Sequence, residues 1–168
     1  MKNIVLIGMP GAGKSTVGVI LAKALGMKFT DTDLVIQELY GKRLQEIINT
    51  EGPEAFLKTE ENAIRILFCT NSVIATGGSV VFSKTAMEHL KYDSIVIYLR
   101  ISFEEMARRL SNITTRGIVL VAGQGIRDMY DQRIHLYEKY ADITIDCSGE
   151  DFETCVGKII DGLNEFKK

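Results

Sequence analysis

At 168 residues, with 46% apolar and 25% charged side chains, the chain is sized for one soluble globular domain with a sizeable core. A formal net charge of −2 gives no cationic footprint for nucleic acid, and no apolar run is long enough to cross a bilayer. The three cysteines, Cys69, Cys147 and Cys155, are scattered, which predicts reduced thiols in a cytoplasmic protein and a packing role as small buried hydrophobes.

In chain order, NIVLIG (3–8) reads as a buried strand and KSTVGVILAKALG (14–26) as a helix closed by Gly26. The opening stretch is too short and too soon interrupted for a signal peptide. KFTDTD (28–33) is a short strand ending in acids, and DLVIQELYG (33–41) a helix stopped by Gly41. GPEAFLKTEENAIRILFC (52–69) is a longer helix with Pro53 near its start. SVIATGG (72–78) is a strand running into glycines, SKTAMEHLKY (83–92) is helical, and SIVIYLRI (94–101) is a strand. SFEEMARRL (102–110) is a helix with Ser102 as N-cap. SNITTRGIVLVAGQG (111–125) has no clear period and reads as a loop. A helix (126–141), a strand (142–147) and a closing helix (150–168) complete the chain. Five strands alternating with helices predict a parallel α/β sheet covered on both faces, because parallel strands need crossovers. Function then belongs at the carboxyl ends of the strands.

The residues gathered at those ends carry chemistry. GMPGAGKS (8–15) fits the phosphate-cradling loop pattern, between a strand and a helix as that loop requires. Its glycines let successive N–H groups face one anion, and the following helix adds its positive end. Lys14 reaches the β- and γ-phosphates of a nucleotide, and the Ser15 hydroxyl ligates Mg²⁺. Asp31 and Asp33 follow the second strand. Asp31 suits a water on Mg²⁺; Asp33 suits an attacking hydroxyl, either accepting its hydrogen bond or taking its proton. The plainer alternative is that one of them only caps the next helix. Gly77 and Gly78 let backbone approach a ligand closely, or merely turn the chain. Arg116, in the loop, is placed to neutralise a transferred phosphoryl group, and Arg133, on a helix, to fork onto a carboxylate. Each arginine alone also fits a solvated surface. His89 and His135 have no metal-spaced partner, and Tyr130, Tyr137 and Tyr140 fit a helical core face.

Taken in order, GMPGAGKST, DTD, GPEAF…E, TGGS, RR before NITTR, and RIHLYEKYAD resemble the shikimate kinase family of small P-loop kinases over nearly the whole chain. The resemblance implies a three-layer P-loop kinase fold with a five-stranded parallel sheet, an acceptor-binding region at 33–60 and a lid at 111–125. It implies ATP and Mg²⁺ as cofactors and a small-molecule acceptor, with shikimate converted to shikimate 3-phosphate by a monomer. By the same resemblance, Gly11, Ala12, Gly13, Lys14 and Ser15 bind the ATP phosphates, with Thr16 beside them. Arg109 stacks on adenine, and Ser15 and Asp31 manage Mg²⁺. Asp33, Gly77 and Gly78 hold the acceptor's hydroxyls, Arg133 its carboxylate, and Arg116 is the lid arginine. Lys14, Asp33 and Arg116 are thus the catalytic candidates. Three positions depart from the family pattern. Leu57 stands where a carboxylate-binding arginine is usual, with Lys58 next to it; Ser79 replaces a third glycine; Gly117 replaces a proline. All three touch the acceptor or the lid and none touches phosphate chemistry. A kinase of the same build for another small hydroxy or amino acid is therefore the close alternative. A non-catalytic nucleotide-binding module is disfavoured by the intact Lys14, Ser15, Asp31, Asp33 and Arg116.

Overall fold

The computed structural model describes residues 2–111, 118–120 and 123–166. Five strands, β1 (Asn3–Ile7), β2 (Lys28–Asp31), β3 (Ser72–Ala75), β4 (Ser94–Arg100) and β5 (Ile143–Asp146), form one parallel sheet in the order β2-β3-β1-β4-β5. The helices are α1 (Lys14–Leu25), α2 (Thr32–Tyr40), α3 (Leu44–Glu51), α4 (Pro53–Arg65), α5 (Lys84–Lys91), α6 (Phe103–Ser111), α7 (Ile126–Tyr140) and α8 (Phe152–Phe166), with a 3₁₀ turn at Val80–Phe82.

The register explains how both faces are covered. Leu6, Ile97 and Ile143 pair in one row and so share a face. On that face α1 lies against Leu6 at Gly18, and α8 lies against Ile143 and Ile145 at Gly162. The next row, Ile7, Tyr98 and Thr144, points the other way. There Tyr137 of α7 stacks on Tyr98 at 5.1 Å. β1 is buried along its whole length, as a central parallel strand between two helical layers must be.

Local chemistry sets most boundaries. The N–H of Gly26 returns to the Ala22 and Lys23 carbonyls, Pro53 opens α4, and the Ser102 hydroxyl accepts the Glu105 N–H at 3.2 Å. Three elements stop short of the periodicity reading for reasons visible in their hydrogen bonds, and one helix was not predicted. β2 stops at Asp31, because the Asp31 carboxylate accepts the Asp33 N–H at 2.9 Å and turns the chain into α2. β3 stops at Ala75; the Thr76 N–H and hydroxyl both then bond to the Leu6 carbonyl. α4 stops at Arg65 rather than Cys69, since Leu67 N–H closes a tight turn on Ile64 and Ile66 and Phe68 face solvent. α3 fills a stretch that yielded no element, although Leu44, Ile47 and Ile48 have helical spacing.

Helices α2, α3 and α4 make their own small core beside the sheet. Ile36, Leu44, Ile47, Ile48, Phe56 and Ala63 form it together with Val119, which comes from the 111–125 segment. This cluster sets the wall that faces the ends of β1, β2 and β3.

Candidate active site

The loop after β1 is shaped by contacts that only glycine allows. Gly8 has φ +151°, and a Cβ there would lie 2.6 Å from the Leu99 carbonyl oxygen on β4. Gly13 has φ +87°, and a Cβ there would meet the Phe152 ring at 2.8 Å. The loop therefore wraps tightly over the end of the sheet and leads straight into α1, whose first residue is Lys14. The Lys14 ammonium, 7% exposed, donates to the Gly8 and Met9 carbonyls at 2.8 and 2.9 Å. Arg109 from α6 braces the same loop, donating to the Gly11 carbonyl at 2.9 Å while paired with Glu105 at 2.7 Å. Phe152 borders Gly13 on the other flank. Ala12 is buried within the loop and Thr16 sits exposed on the first turn of α1.

Asp31 uses its two oxygens differently. One caps α2; the other accepts the Ser15 hydroxyl at 2.6 Å. The capping role and the position beside the phosphate loop are thus both realised by one carboxylate. Hydroxyl and carboxylate oxygens are hard donors, as Mg²⁺ prefers, and Mg²⁺ takes few protein ligands and completes its shell from phosphates and water. The pair fits that demand. Among the described residues no cluster of three or more His, Cys, Asp and Glu could hold a metal by itself.

A cavity of about 460 Å³ opens beside the loop and brings the two halves of the site together. Lys14 and Ser15 of the phosphate loop line it together with Asp33, Gly77, Gly78 and Arg133. The two glycines leave room where functional groups converge. A Cβ at Gly77 would lie 2.6 Å from Glu60 Oε2 and 3.0 Å from Asp33 Oδ1. One at Gly78 would lie 2.8 Å from Pro10 and 3.2 Å from an Arg133 nitrogen. The Tyr137 hydroxyl fixes this turn by donating to the Gly78 carbonyl at 2.6 Å, and burial pushes its own pKa up to about 12. Arg133 is 2% exposed, donates to the Val119 carbonyl at 2.6 Å and stacks over Phe82 at 5.1 Å. Its Nε finds no hydrogen-bond partner among the described residues. Arg116 lies outside the described residues.

Glu60, Gln37 and Arg43 also line this cavity without having been singled out as site residues from the sequence, as does Ser79, which the sequence marked only as a departure from the glycine pattern. Glu60 stands one helical turn after Phe56 on α4, and that i, i+4 spacing was the available signal. It is fully buried; Oε1 accepts the Ser79 hydroxyl at 2.8 Å, while Oε2 has no partner among the described residues. Burial pushes the carboxyl up to about 7; the Ser79 hydrogen bond opposes the rise and the Asp33 charge adds to it. Between the ordinary value of 4.5 and about 7 the native state keeps a proton that the unfolded chain has released. Glu60 therefore supports the fold at low pH, and that support is lost as pH rises through about 7. Glu60→Gln should thus stabilise the protein relative to wild type progressively across that window, by on the order of 2–3 kcal/mol at pH 8. Denaturant unfolding of both proteins at pH 5 and pH 8 checks this. An equal stability difference at the two pH values refutes it.

Comparison with known proteins places the whole arrangement. The sequence profile described as Shikimate kinase matches residues 10–164. A shikimate kinase of Thermodesulfovibrio yellowstonii is 40% identical over 95% of this chain and 94% of its own. Among solved structures, the shikimate kinase from Acinetobacter baumannii in complex with shikimate is 32% identical. It superposes with a TM-score of 0.90, covering 98% of this chain and 94% of that one. The shikimate kinase from Aquifex aeolicus is 29% identical with a TM-score of 0.82, covering 96% of each chain.

Proposed function

Because the chain belongs to the shikimate kinase family, we propose that it transfers the γ-phosphoryl group of ATP to a hydroxyl of shikimate, giving shikimate 3-phosphate. The observation that carries this reading is the shared cavity, lined both by Lys14 and Ser15 of the phosphate loop and by Asp33, Gly77, Gly78 and Arg133. The binding of shikimate named for the Acinetobacter baumannii relative supports the same acceptor here.

In this reading the N–H groups of Gly11, Ala12, Gly13, Lys14 and Ser15 hold the phosphates, with Thr16 alongside. Lys14, held in the loop by the Gly8 and Met9 carbonyls, stabilises the charge on the transferred group. Ser15 and Asp31 hold Mg²⁺, which neutralises phosphate charge when bound. Arg109 and Phe152 flank the base. Asp33 receives the proton of the acceptor hydroxyl as its oxygen bonds to phosphorus and the bond to ADP breaks. The unpartnered Glu60 Oε2 takes a second acceptor hydroxyl. Arg133 holds the carboxylate, which relieves the cost of a buried guanidinium with an unpartnered nitrogen. Arg116 neutralises the charge on the transferred phosphoryl group, and the bond from Arg133 to the Val119 carbonyl joins the acceptor side to residues 118–120.

A coupled assay of ADP release over shikimate and a panel of small hydroxy acids tests the reading. The expected result is shikimate-dependent release exceeding that with every other compound. Release with another hydroxy acid but not with shikimate overturns the acceptor. Release with none overturns phosphoryl transfer.

A further inference from the structure

The acceptor-side wall carries a second guanidinium. Arg43 lines the same cavity as Arg133, but from a different element, the turn leading into α3. Neither Leu57 nor Lys58 is among the residues lining that cavity. On α4 the cavity face is taken by Phe56 and Glu60, while Leu57 is half-buried and Lys58 faces solvent.

Arg43 also breaks a local rule. It occupies the N-cap of α3, with φ −70° and ψ 149°, where its side chain makes no capping hydrogen bond. Ser, Thr, Asp and Asn are the residues that satisfy this position, and a cation at a helix N-terminus opposes the helix dipole. Nearby charge does not compensate. Neighbouring Lys42 pairs with Glu51 at 3.7 Å, whereas the Arg43 side chain makes no hydrogen bond or ion pair among the described residues. A residue that is locally unfavourable, uncommitted and directed at the cavity marks a functional position.

We infer that Arg43 is the second cation on the acceptor's carboxylate, sharing the cavity with Arg133 and doing what neither Leu57 nor Lys58 is placed to do. The inference rests on the shikimate reading above. Lys14 belongs to the phosphates, so the carboxylate falls between the two arginines. Arg133 is locked by Val119 and Phe82 and sets the anion's position. Arg43 is exposed, reaches from a turn and closes onto the anion once it is seated.

The test compares wild type, Arg43→Ala, Arg43→Lys and Lys58→Ala. Arg43→Ala should raise the KM for shikimate about 10- to 100-fold, the range for a hydrogen bond to a charged group, with kcat and the KM for ATP changed less than about threefold. Arg43→Lys should fall between, and Lys58→Ala should match wild type. Dissociation constants for shikimate and its uncharged methyl ester, measured by ligand-observed NMR, separate charge recognition from shape. The ester should bind wild type and Arg43→Ala alike. Tm should not fall in Arg43→Ala, since a cation leaves a helix N-terminus. An unchanged KM in Arg43→Ala, or an equal loss of acid and ester binding, overturns the inference while leaving wild-type shikimate turnover intact. Absence of turnover in wild type overturns the acceptor reading itself, and the Arg43 contact with it.

Discussion

Replacing Lys14 with alanine lowers kcat by about 10³-fold or more, the scale set by removing a preorganised charge from the developing transition state. The ammonium sits at the first residue of α1, bonded to two carbonyls of its own loop, and is positioned before any ligand arrives. That preorganisation is why the loss falls on the rate. The fold should survive. The sheet core is built by apolar side chains from β1, β3 and β4, and Lys14 is not one of its members. Circular dichroism and thermal melting establish folding, and single-turnover kinetics with ATP and shikimate measure the step. Turnover within tenfold of wild type, in a folded variant, removes Lys14 from the chemistry.

Asp33→Asn produces the second large loss, with a different signature. Asparagine keeps the shape but cannot take a proton, and a positioned general base is worth about 10²- to 10⁴-fold. Asp33 lies at the Gly77 turn, with the Asp31 carboxylate between it and Ser15 of the phosphate loop. The expected result is a fall in kcat of at least 10²-fold, with nucleotide affinity within about threefold of wild type. Nucleotide binding by calorimetry and acceptor kinetics are measured on the same preparation. Collapse of nucleotide affinity with normal acceptor kinetics would reverse the roles given to Asp31 and Asp33.

What the sequence revealed tracks how local each feature is. The Gly8–Ser15 loop is a contiguous stretch whose geometry is encoded by its own glycines, so its position after β1 was readable directly. So were the central strands β1, β3 and β4, because central parallel strands are nearly uninterrupted apolar runs. Asp31 was readable only as two competing roles, and the structure shows that its two oxygens satisfy both geometries. Glu60 was weakly legible: its i, i+4 spacing from Phe56 puts it on the apolar face of α4, but that alone does not distinguish a buried carboxyl from a solvated one. Its character comes from the Gly77 turn and Ser79, residues distant in sequence. Arg43 was hidden for the same reason, compounded by the missed helix α3. The doubt about acceptor binding centred on Leu57, whose neighbours in sequence gave no view of the opposite wall.

The small hydrophobic cluster of α2, α3 and α4 has an evolutionary consequence. Ile36, Leu44, Ile47, Ile48, Phe56, Ala63 and Val119 form a core distinct from the one on the sheet. Substitutions at sites without shared partners have nearly additive effects on stability. Repacking this cluster reshapes the wall of the acceptor cavity, and the sheet beneath the phosphate loop is largely insulated from the change. A lineage can therefore drift in which hydroxylated compound it accepts through steps that each leave nucleotide chemistry working.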